Sequence, residues 1–349
     1  MKKILLPIFI ILLTYGLLVG FLYLLIALSD NNFSLQNTFN FLTDFLRVNR
    51  KESSVTLFAV GDIMLDRGVD KMVKENGGSN FRFPFFFVAD YLKKADILFG
   101  NLESVISDKE GEKFKKTGSV QVYFKAKPEA IEGLVYADFD IVSVANNHAL
   151  DYGRIAFEDS LKRLKDAGIE YIGGGFNEKE VFSVKIQEIK GTKIGFLAYT
   201  YPRFDGQYIP WKATENKSGV AVIEIKEIEK IKKDIREAKK KVDILIISLH
   251  WGKEYILEPE PEKISLARSF IDAGADLIIG HHPHTLQPIE KYKNGWIAYS
   301  LGNFVFDMTG GETRKGGLLE VVIQNKKIKE IKLKELKISD YFQPHLLEK

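Results

Sequence analysis

Five apolar runs in this chain each stop at a short polar signature built from Asp, Asn, Glu or His. Val55–Val60 runs into Gly61-Asp62, Asp96–Phe99 into Gly100-Asn101-Leu102-Glu103, and Ile141–Ala145 into Asn146-Asn147-His148. Ile244–Leu249 runs into His250-Trp251-Gly252, and Leu277–Ile279 into Gly280-His281-His282-Pro283-His284. Apolar runs this short read as buried strands. Between them, residues recur at helical spacing: Phe157, Leu161, Leu164, Ala167; then Ile228, Ile231, Ile235, Ala238; then Ile264, Ala267, Ile271. Each helix is followed by a predicted strand, at Glu170–Ile172, Val242–Leu249 and Ala275–Ile279. A strand–helix alternation of this kind predicts an α/β domain.

In open α/β sheets, ligands bind at the carboxyl ends of the strands. A lone Asp or Asn after a strand is an ordinary turn former. Here five segments in chain order carry such groups, and five of the six histidines lie among them. The candidate ligands are Asp62, Asn101, Glu103, Asn147, His250, His282 and His284. The chain has no cysteine, so neither a disulfide nor a thiolate site is available. Oxygen and imidazole donors suit Mn, Fe, Zn or Mg. So many donors exceed the needs of one tetrahedral ion and fit one or two divalent metal ions, the second case with a bridging carboxylate. His148, next to Asn147, is the candidate catalytic residue, placed to reach a leaving group or a developing negative charge. His282 and His284 stand at i,i+2. On an extended loop they would either reach different metals or frame one from two sides.

The N-terminus is the second constraint. Lys2 and Lys3 precede an uncharged apolar stretch from Ile4 to Leu28. As a helix it would be roughly 37 Å long, enough to cross a bilayer core of about 30 Å with tilt. It exceeds the apolar core of a cleaved signal peptide. The flanking lysines place the N-terminus in the cytoplasm. The expectation is a single-pass cell-membrane protein with its main domain outside the cytoplasm. A net charge of +3 is small for 349 residues and argues against a nucleic-acid partner.

The organisation read from sequence is a membrane anchor over 1–29, a stalk over 30–54, the α/β domain over 55–338 and a tail over 339–349. The Phe81–Phe87 aromatics are expected to pack in the core before a Val88–Lys94 helix. Lys226–Lys241 reads as a helix with a solvated charged face. Trp296–Phe306, Gly317–Ile323 and Ile328–Ile338 read as strands, the last two as a hairpin across Gln324-Asn325-Lys326. Two polar loops, Ser107–Ser119 and Pro202–Ser218, read as lids over the ligand edge. Lys109, Lys113, Lys115, Lys116, Arg203, Arg314 and Lys315 would attract an anion if they faced it.

Taken together, Gly61-Asp62-Ile63-Met64-Leu65, Gly100-Asn101-Leu102-Glu103, Ala145-Asn146-Asn147-His148-Ala149-Leu150-Asp151-Tyr152-Gly153, His250-Trp251-Gly252-Lys253-Glu254-Tyr255, Gly280-His281-His282-Pro283-His284 and Tyr299-Ser300-Leu301-Gly302-Asn303-Phe304 resemble the motif series of the CapA/PgsA proteins. These are membrane-anchored proteins of bacterial poly-γ-glutamate capsule synthesis, a branch of the calcineurin-like metallophosphoesterase superfamily. The resemblance runs from about Val55 to Ile323. It implies a four-layer α/β/β/α metallophosphatase-like sandwich with two sheets face to face. It also implies an anionic extracellular polymer and membrane synthase or export subunits as partners. By this resemblance Asp62 is the first-strand metal aspartate, and Glu103, or Asn101 beside it, takes the place of the bridging carboxylate. Asn147 is the metal asparagine, His148 the neighbouring catalytic histidine, and His250, His282 and His284 the later metal histidines.

Two positions depart from the superfamily pattern. Met64 stands where a histidine is usual two residues after the first aspartate. Gly100-Asn101 stands where Gly-Asp is usual. The expectation is that Asp62 and His284 hold one ion weakly, while Asn147, His250 and His282 surround a second, tighter one. Three functions fit the sequence: a surface-anchored capsule-biosynthesis factor, a working extracytoplasmic metallophosphoesterase, and a non-catalytic scaffold for a membrane synthase complex. Protease added to intact cells is expected to digest the chain beyond about Ser29, and full protection of that part would refute the N-in, C-out topology.

Overall fold

The structure, a computed structural model, describes residues 54–109, 111–114, 122–204 and 207–347, with backbone only at 203, 204, 207 and 208. The expected membrane helix over Ile4–Leu28 and the stalk up to residue 53 lie outside the described residues, as do Lys115 and Lys116. Among the described residues no helix is long and apolar enough to cross a membrane.

Two sheets carry the fold. The strands of the first are β1 (Ser54–Ile63), β2 (Ile97–Leu102), β3 (Ile141–Ser143) and β4 (Glu170–Ile172). The second sheet is built from β5 (Lys185–Ile189), β6 (Thr192–Thr200), β7 (Ile244–His250), β8 (Leu277–His281), β9 (Ile289–Tyr292) and β10 (Gly295–Ala298). The chain then returns to the first sheet with β11 (Asn303–Val305), β12 (Lys315–Gln324), β13 (Lys327–Ile338) and β14 (Pro344–Leu346). The first sheet runs β14-β13-β12-β1-β2-β3-β4, with β11 also on β1; the second runs β9-β10-β8-β7-β6-β5. β1 to β4 are parallel neighbours, as are β6, β7, β8 and β10. Their carboxyl ends therefore share an edge within each sheet.

Side-chain alternation ties the layers together. In β1 and β2, Leu57 pairs with Ile97 and Ala59 with Phe99, which sets all four on one face. Phe99 stacks on Phe196 of β6, ring centres 6.2 Å apart, so this face meets the second sheet. Ile194, Phe196, Ala198, Ile244, Ile246, Leu277 and Ile279 join the same buried cluster. Their neighbours Leu197, Tyr199, Leu245, Ile247 and Leu249 form a separate cluster with two helices, α3 (Ile228–Lys239) and α4 (Pro261–Asp272). Two earlier helices are α1 (Arg67–Glu75) and α2 (Gly153–Asp166), and α2 packs Phe157, Leu161 and Leu164 into the larger cluster. Each fully buried Phe or Leu here contributes about 1.5–3 kcal/mol. The exposed face of α3 is charged, with Lys232–Glu229 and Lys240–Glu237 pairs at 2.8 and 2.7 Å.

Several elements differ from their sequence reading. Trp296–Phe306 is not one strand: it breaks at 299–302 into β10 and β11, which belong to different sheets. The break is made by Gly302, whose φ of +63° suits glycine. The Phe81–Phe87 aromatics divide. Phe85 is fully buried, but Phe86 and Phe87 are 44% and 61% exposed. The helix after them covers only Ala89–Leu92. The 339–349 segment, read as a tail, supplies β14 on the edge of the first sheet. The β12–β13 hairpin does turn at Asn325 and Lys326, both at positive φ.

Gly61 lets the crossing close. A Cβ on Gly61 would lie 2.0 Å from Gly302 O, the same oxygen that accepts the Asp62 N–H at 2.9 Å. Gly61→Ala is expected to force β1 and the 299–302 segment apart, at about 1–3 kcal/mol. Urea unfolding of the variant, read as a lower midpoint at unchanged slope, checks this.

Candidate metal centre

The polar signatures meet where the strand ends of the two sheets face each other. The register from Ala59↔Phe99 to Asp62↔Asn101 advances three residues on β1 against two on β2, a bulge just ahead of Asp62. Such a bulge re-aims the next side chain. On the second sheet His250 and His281 are register partners at the ends of β7 and β8. Asp62, Asn101, Glu103, His250, His281, His282 and His284 are all essentially inaccessible to solvent.

Asp62 is the most heavily bonded of these groups. Asn101 Nδ2 donates to Asp62 Oδ1 at 2.8 Å and the His282 backbone N–H to Oδ2 at 3.2 Å. His281 Nδ1 lies 3.2 Å from Oδ1 and His284 Nδ1 3.4 Å from Oδ2. Burial pushes the Asp62 carboxyl up, but the hydrogen bonds and charge of His281 and His284 hold it well below the usual carboxylate range.

Glu103 is its opposite. Among the described residues neither carboxylate oxygen has a hydrogen-bond partner, although the residue is fully buried. Three imidazole nitrogens stand around Oε1: His250 Nε2 at 3.8 Å, His148 Nε2 at 3.9 Å and His284 Nε2 at 3.9 Å. Burial, and then repulsion from Asp62, push this carboxyl well above its ordinary range.

The donor atoms fall into two compact triads, Asp62–Glu103–His250 and Glu103–His282–His284, each within 4.8 Å. Both contain Glu103. The division expected from the motifs is present in the same cluster: His284 Nδ1 lies 3.4 Å from Asp62 Oδ2, while Asn147 and His282 both adjoin His250. His282 stands between the other two imidazoles, its ring centre 4.9 Å from that of His250 and 5.9 Å from that of His284. The backbones of His282 and His284 sit at φ of +96° and +56°. Such conformations cost about 1–3 kcal/mol each in non-glycine residues and persist where the surroundings over-determine them.

A buried carboxylate with no hydrogen-bond donor, ringed by imidazoles, fits a divalent cation. Asp62, Glu103, His250, His282 and His284 would hold it. Asn147 Oδ1 lies 2.7 Å from His250 Nε2, at the same spot. Asn101 is differently used: its Oδ1 accepts from Asn146 Nδ2 at 3.4 Å, which turns its Nδ2 toward Asp62 and His250. Met64 is buried, and its sulfur accepts the Asp66 N–H at 3.2 Å.

Behind the ligands stand residues not singled out as site members in the sequence. Asp151 Oδ2 lies 2.7 Å from His148 Nδ1 and also accepts the Phe124 N–H at 2.9 Å. It leaves His148 Nε2 facing Glu103, as second-layer carboxylates do for imidazoles. Asn303 Oδ1 lies 2.8 Å from His284 Nδ1, while its Nδ2 donates to Thr313 O at 2.9 Å. His281 touches Asp62 from below. The signal for Asp151 and His281 was their place inside the quoted motifs, three residues after His148 and one before His282. Asn303 carried no comparable signal, because its role depends on the sheet crossing. Of the rim cations, Arg314 pairs with Asp340 at 2.6 Å and Lys315 with Glu312 at 2.8 Å.

With this geometry in view, the comparisons are specific. The family model for Bacterial capsule synthesis protein PGA_cap matches residues 56–308, most of the described domain. The chain belongs to this capsule synthesis protein family. It is 34% identical over 272 residues to the Capsule biosynthesis protein CapA of Bacillus anthracis, covering 78% of this chain and 64% of that one. It is 33% identical over 262 residues to the PGA biosynthesis protein CapA of Bacillus subtilis, covering 75% and 66%. The match thus spans just under two thirds of each of these relatives. A solved structure described as a novel phosphatase from Mycoplasma pneumoniae superposes with a TM-score of 0.50 at 12% identity, over 82% of this chain and 94% of that one. That likeness is one of fold.

Metal binding to this PGA_cap domain is expected to release protons. Burial lowers His284, but the Glu103 charge and the Asp62 contact raise it to about 9. Burial and neighbouring histidines hold His250 and His282 well below the usual range, so these are neutral and ready to ligate. At pH 7 the proton on His284 must leave before this imidazole can ligate. Apparent affinity therefore rises with pH toward about 9 and falls in acid. Calorimetry in buffers of different ionisation enthalpy checks it: net release of at least about one proton is expected, and none would contradict the ligand set.

Proposed function

We propose that this chain is a membrane-anchored, extracytoplasmic capsule-biosynthesis factor of the poly-γ-glutamate type, whose PGA_cap domain is a four-layer metallophosphatase-like sandwich holding divalent metal. The carrying observation is the Glu103 carboxylate, buried without a hydrogen bond and shared by two ligand triads. The family match and the capsule and PGA biosynthesis roles named for the two Bacillus relatives support the capsule assignment. Burying such a carboxylate is costly unless a cation compensates it. The domain would act on, or hold, an anionic extracellular polymer, and the N-terminal apolar helix would bring it to membrane synthase or export subunits.

A second reading, a working metal-dependent hydrolase, is favoured by the His148–Asp151 pair. Bound metal would polarise a substrate oxygen and acidify a water. Asp151, accepting the Nδ1 proton, would support an imidazolium at His148 whose Nε2 proton can pass to a leaving group near Glu103. The Phe124 ring, 4.0 Å from the His148 ring between centres, excludes water from one side of it.

Elemental analysis of the purified full chain is expected to find one or two divalent ions per molecule, with Glu103→Gln losing most of them. A parent chain without metal at pH 8, or a Glu103→Gln variant that retains it fully, would defeat the metal-centred reading. Loss of phosphodiester cleavage in His148→Asn at unchanged metal content would favour the hydrolase over the binding factor.

A further inference from the structure

Lys263 is a largely buried lysine whose charge Glu260 and Glu262 offset only in part. It stands in the first turn of α4, is only 8% exposed, and makes no ion pair among the described residues. Its Nζ lies 3.7 Å from the centre of the Tyr201 ring. Tyr201 follows the end of β6, and its N–H donates to His250 O at 3.1 Å. The start of α4 is held on the same side. A Cβ on Gly252 would meet Glu260 Oε2 at 3.3 Å and Pro283 Cγ at 3.7 Å. Gly252 lies two residues after His250, and Pro283 lies between His282 and His284. After burial and His284, the Lys263 charge is among the influences that keep His282 neutral. The ammonium thus stands beside the ligand cluster without belonging to it.

This placement is unfavourable in isolation. Burial holds the Lys263 ammonium below its ordinary range, and a cation–π contact compensates only in part. A cation next to a metal-binding cluster adds like-charge repulsion. An anion seated between the two removes both penalties at once, and an ammonium on a flexible stem suits a carboxylate or phosphate oxygen as a point charge.

We propose that Lys263, seated on Tyr201, is an oxyanion subsite on the His282-Pro283-His284 side of the ligand cluster, binding one acidic group of a polyanionic substrate while its neighbouring group faces the metal-type ligands. The proposal rests on the metal-centred reading above. The test uses the detergent-solubilised full chain loaded with manganese and two probes: a fluorescein-labelled γ-linked glutamate decamer, read by anisotropy, and inorganic phosphate, read by calorimetry. Lys263→Met, which keeps the aliphatic stem on Tyr201, is expected to weaken at least one probe about tenfold at unchanged metal content. Lys263→Arg is expected to stay within about threefold of the parent. Weakening of the decamer alone assigns the subsite to carboxylate, and weakening of phosphate alone assigns it to phosphate. If the Met variant fails to fold, Lys263→Gln is held to the same criterion. A parent that holds metal but binds neither probe, or a neutral variant that binds both as the parent does, overturns the subsite. So does loss of metal in the neutral variant, which would mark Lys263 as structural. A parent without metal overturns the metal-centred reading itself.

Discussion

Two carboxylates, Asp62 and Glu103, are buried a few ångströms apart at the meeting of two sheets, and the rest of the site is arranged around the difference between them. Asp62 is saturated with donors from Asn101, His281, His282 and His284 and stays ionised. Glu103 has none and is driven toward its protonated form by burial and by Asp62. Like charges this close and this dry repel strongly, so only a cation between them lets both ionise. The two triads that share Glu103 provide two such positions. Asp151, Asn303 and Asn101 spend their hydrogen bonds on orienting ligands, which is how a buried site keeps its geometry before anything binds.

The backbone makes that convergence possible at a small number of places. The bulge before Asp62 turns its side chain, and the crossing at Gly302 delivers Asn303 from the end of one sheet to the first strand of the other. Gly61 and Gly302 allow the two backbones to touch. The left-handed conformations of His282 and His284 store strain next to the ligands, and the Asp62 bond to the His282 N–H is one of the contacts that holds it. Loss of fit at any of these positions would loosen the ligand set before it unfolded the core.

Electrostatics beyond the ligands divides into neutralised and unneutralised charge. Arg314 and Lys315, attractive in the sequence as anion-gathering groups, are taken up by Asp340 and Glu312. Exposed pairs of this sort contribute little to stability and leave little net field. Lys263 was passed over in the sequence because it sits at an ordinary helical position among Glu260 and Glu262. Only packing shows that its Nζ lies over the Tyr201 ring. The exposed Phe86 and Phe87 went the other way: their apolarity predicted burial, but at that point the core takes in Phe85 fully and Phe81 in part.

The α/β class, the identity of nearly all ligands and their common edge were legible in the sequence, because strand ends in parallel sheets fall on one side by geometry and because histidine was used almost nowhere else. The family motifs added the order of the ligands and the expected sandwich. What the tertiary structure decided was partition and support. Which histidine stands with which carboxylate depends on the bulge at Asp62 and on the positive φ at His282 and His284, and neither is written in residue spacing. That Asn303 braces His284, and that Asn101 donates to Asp62, depends on which strands become neighbours. Pairings between residues 39 to 220 positions apart are set by the packing of two sheets, and local pattern carries no information about them.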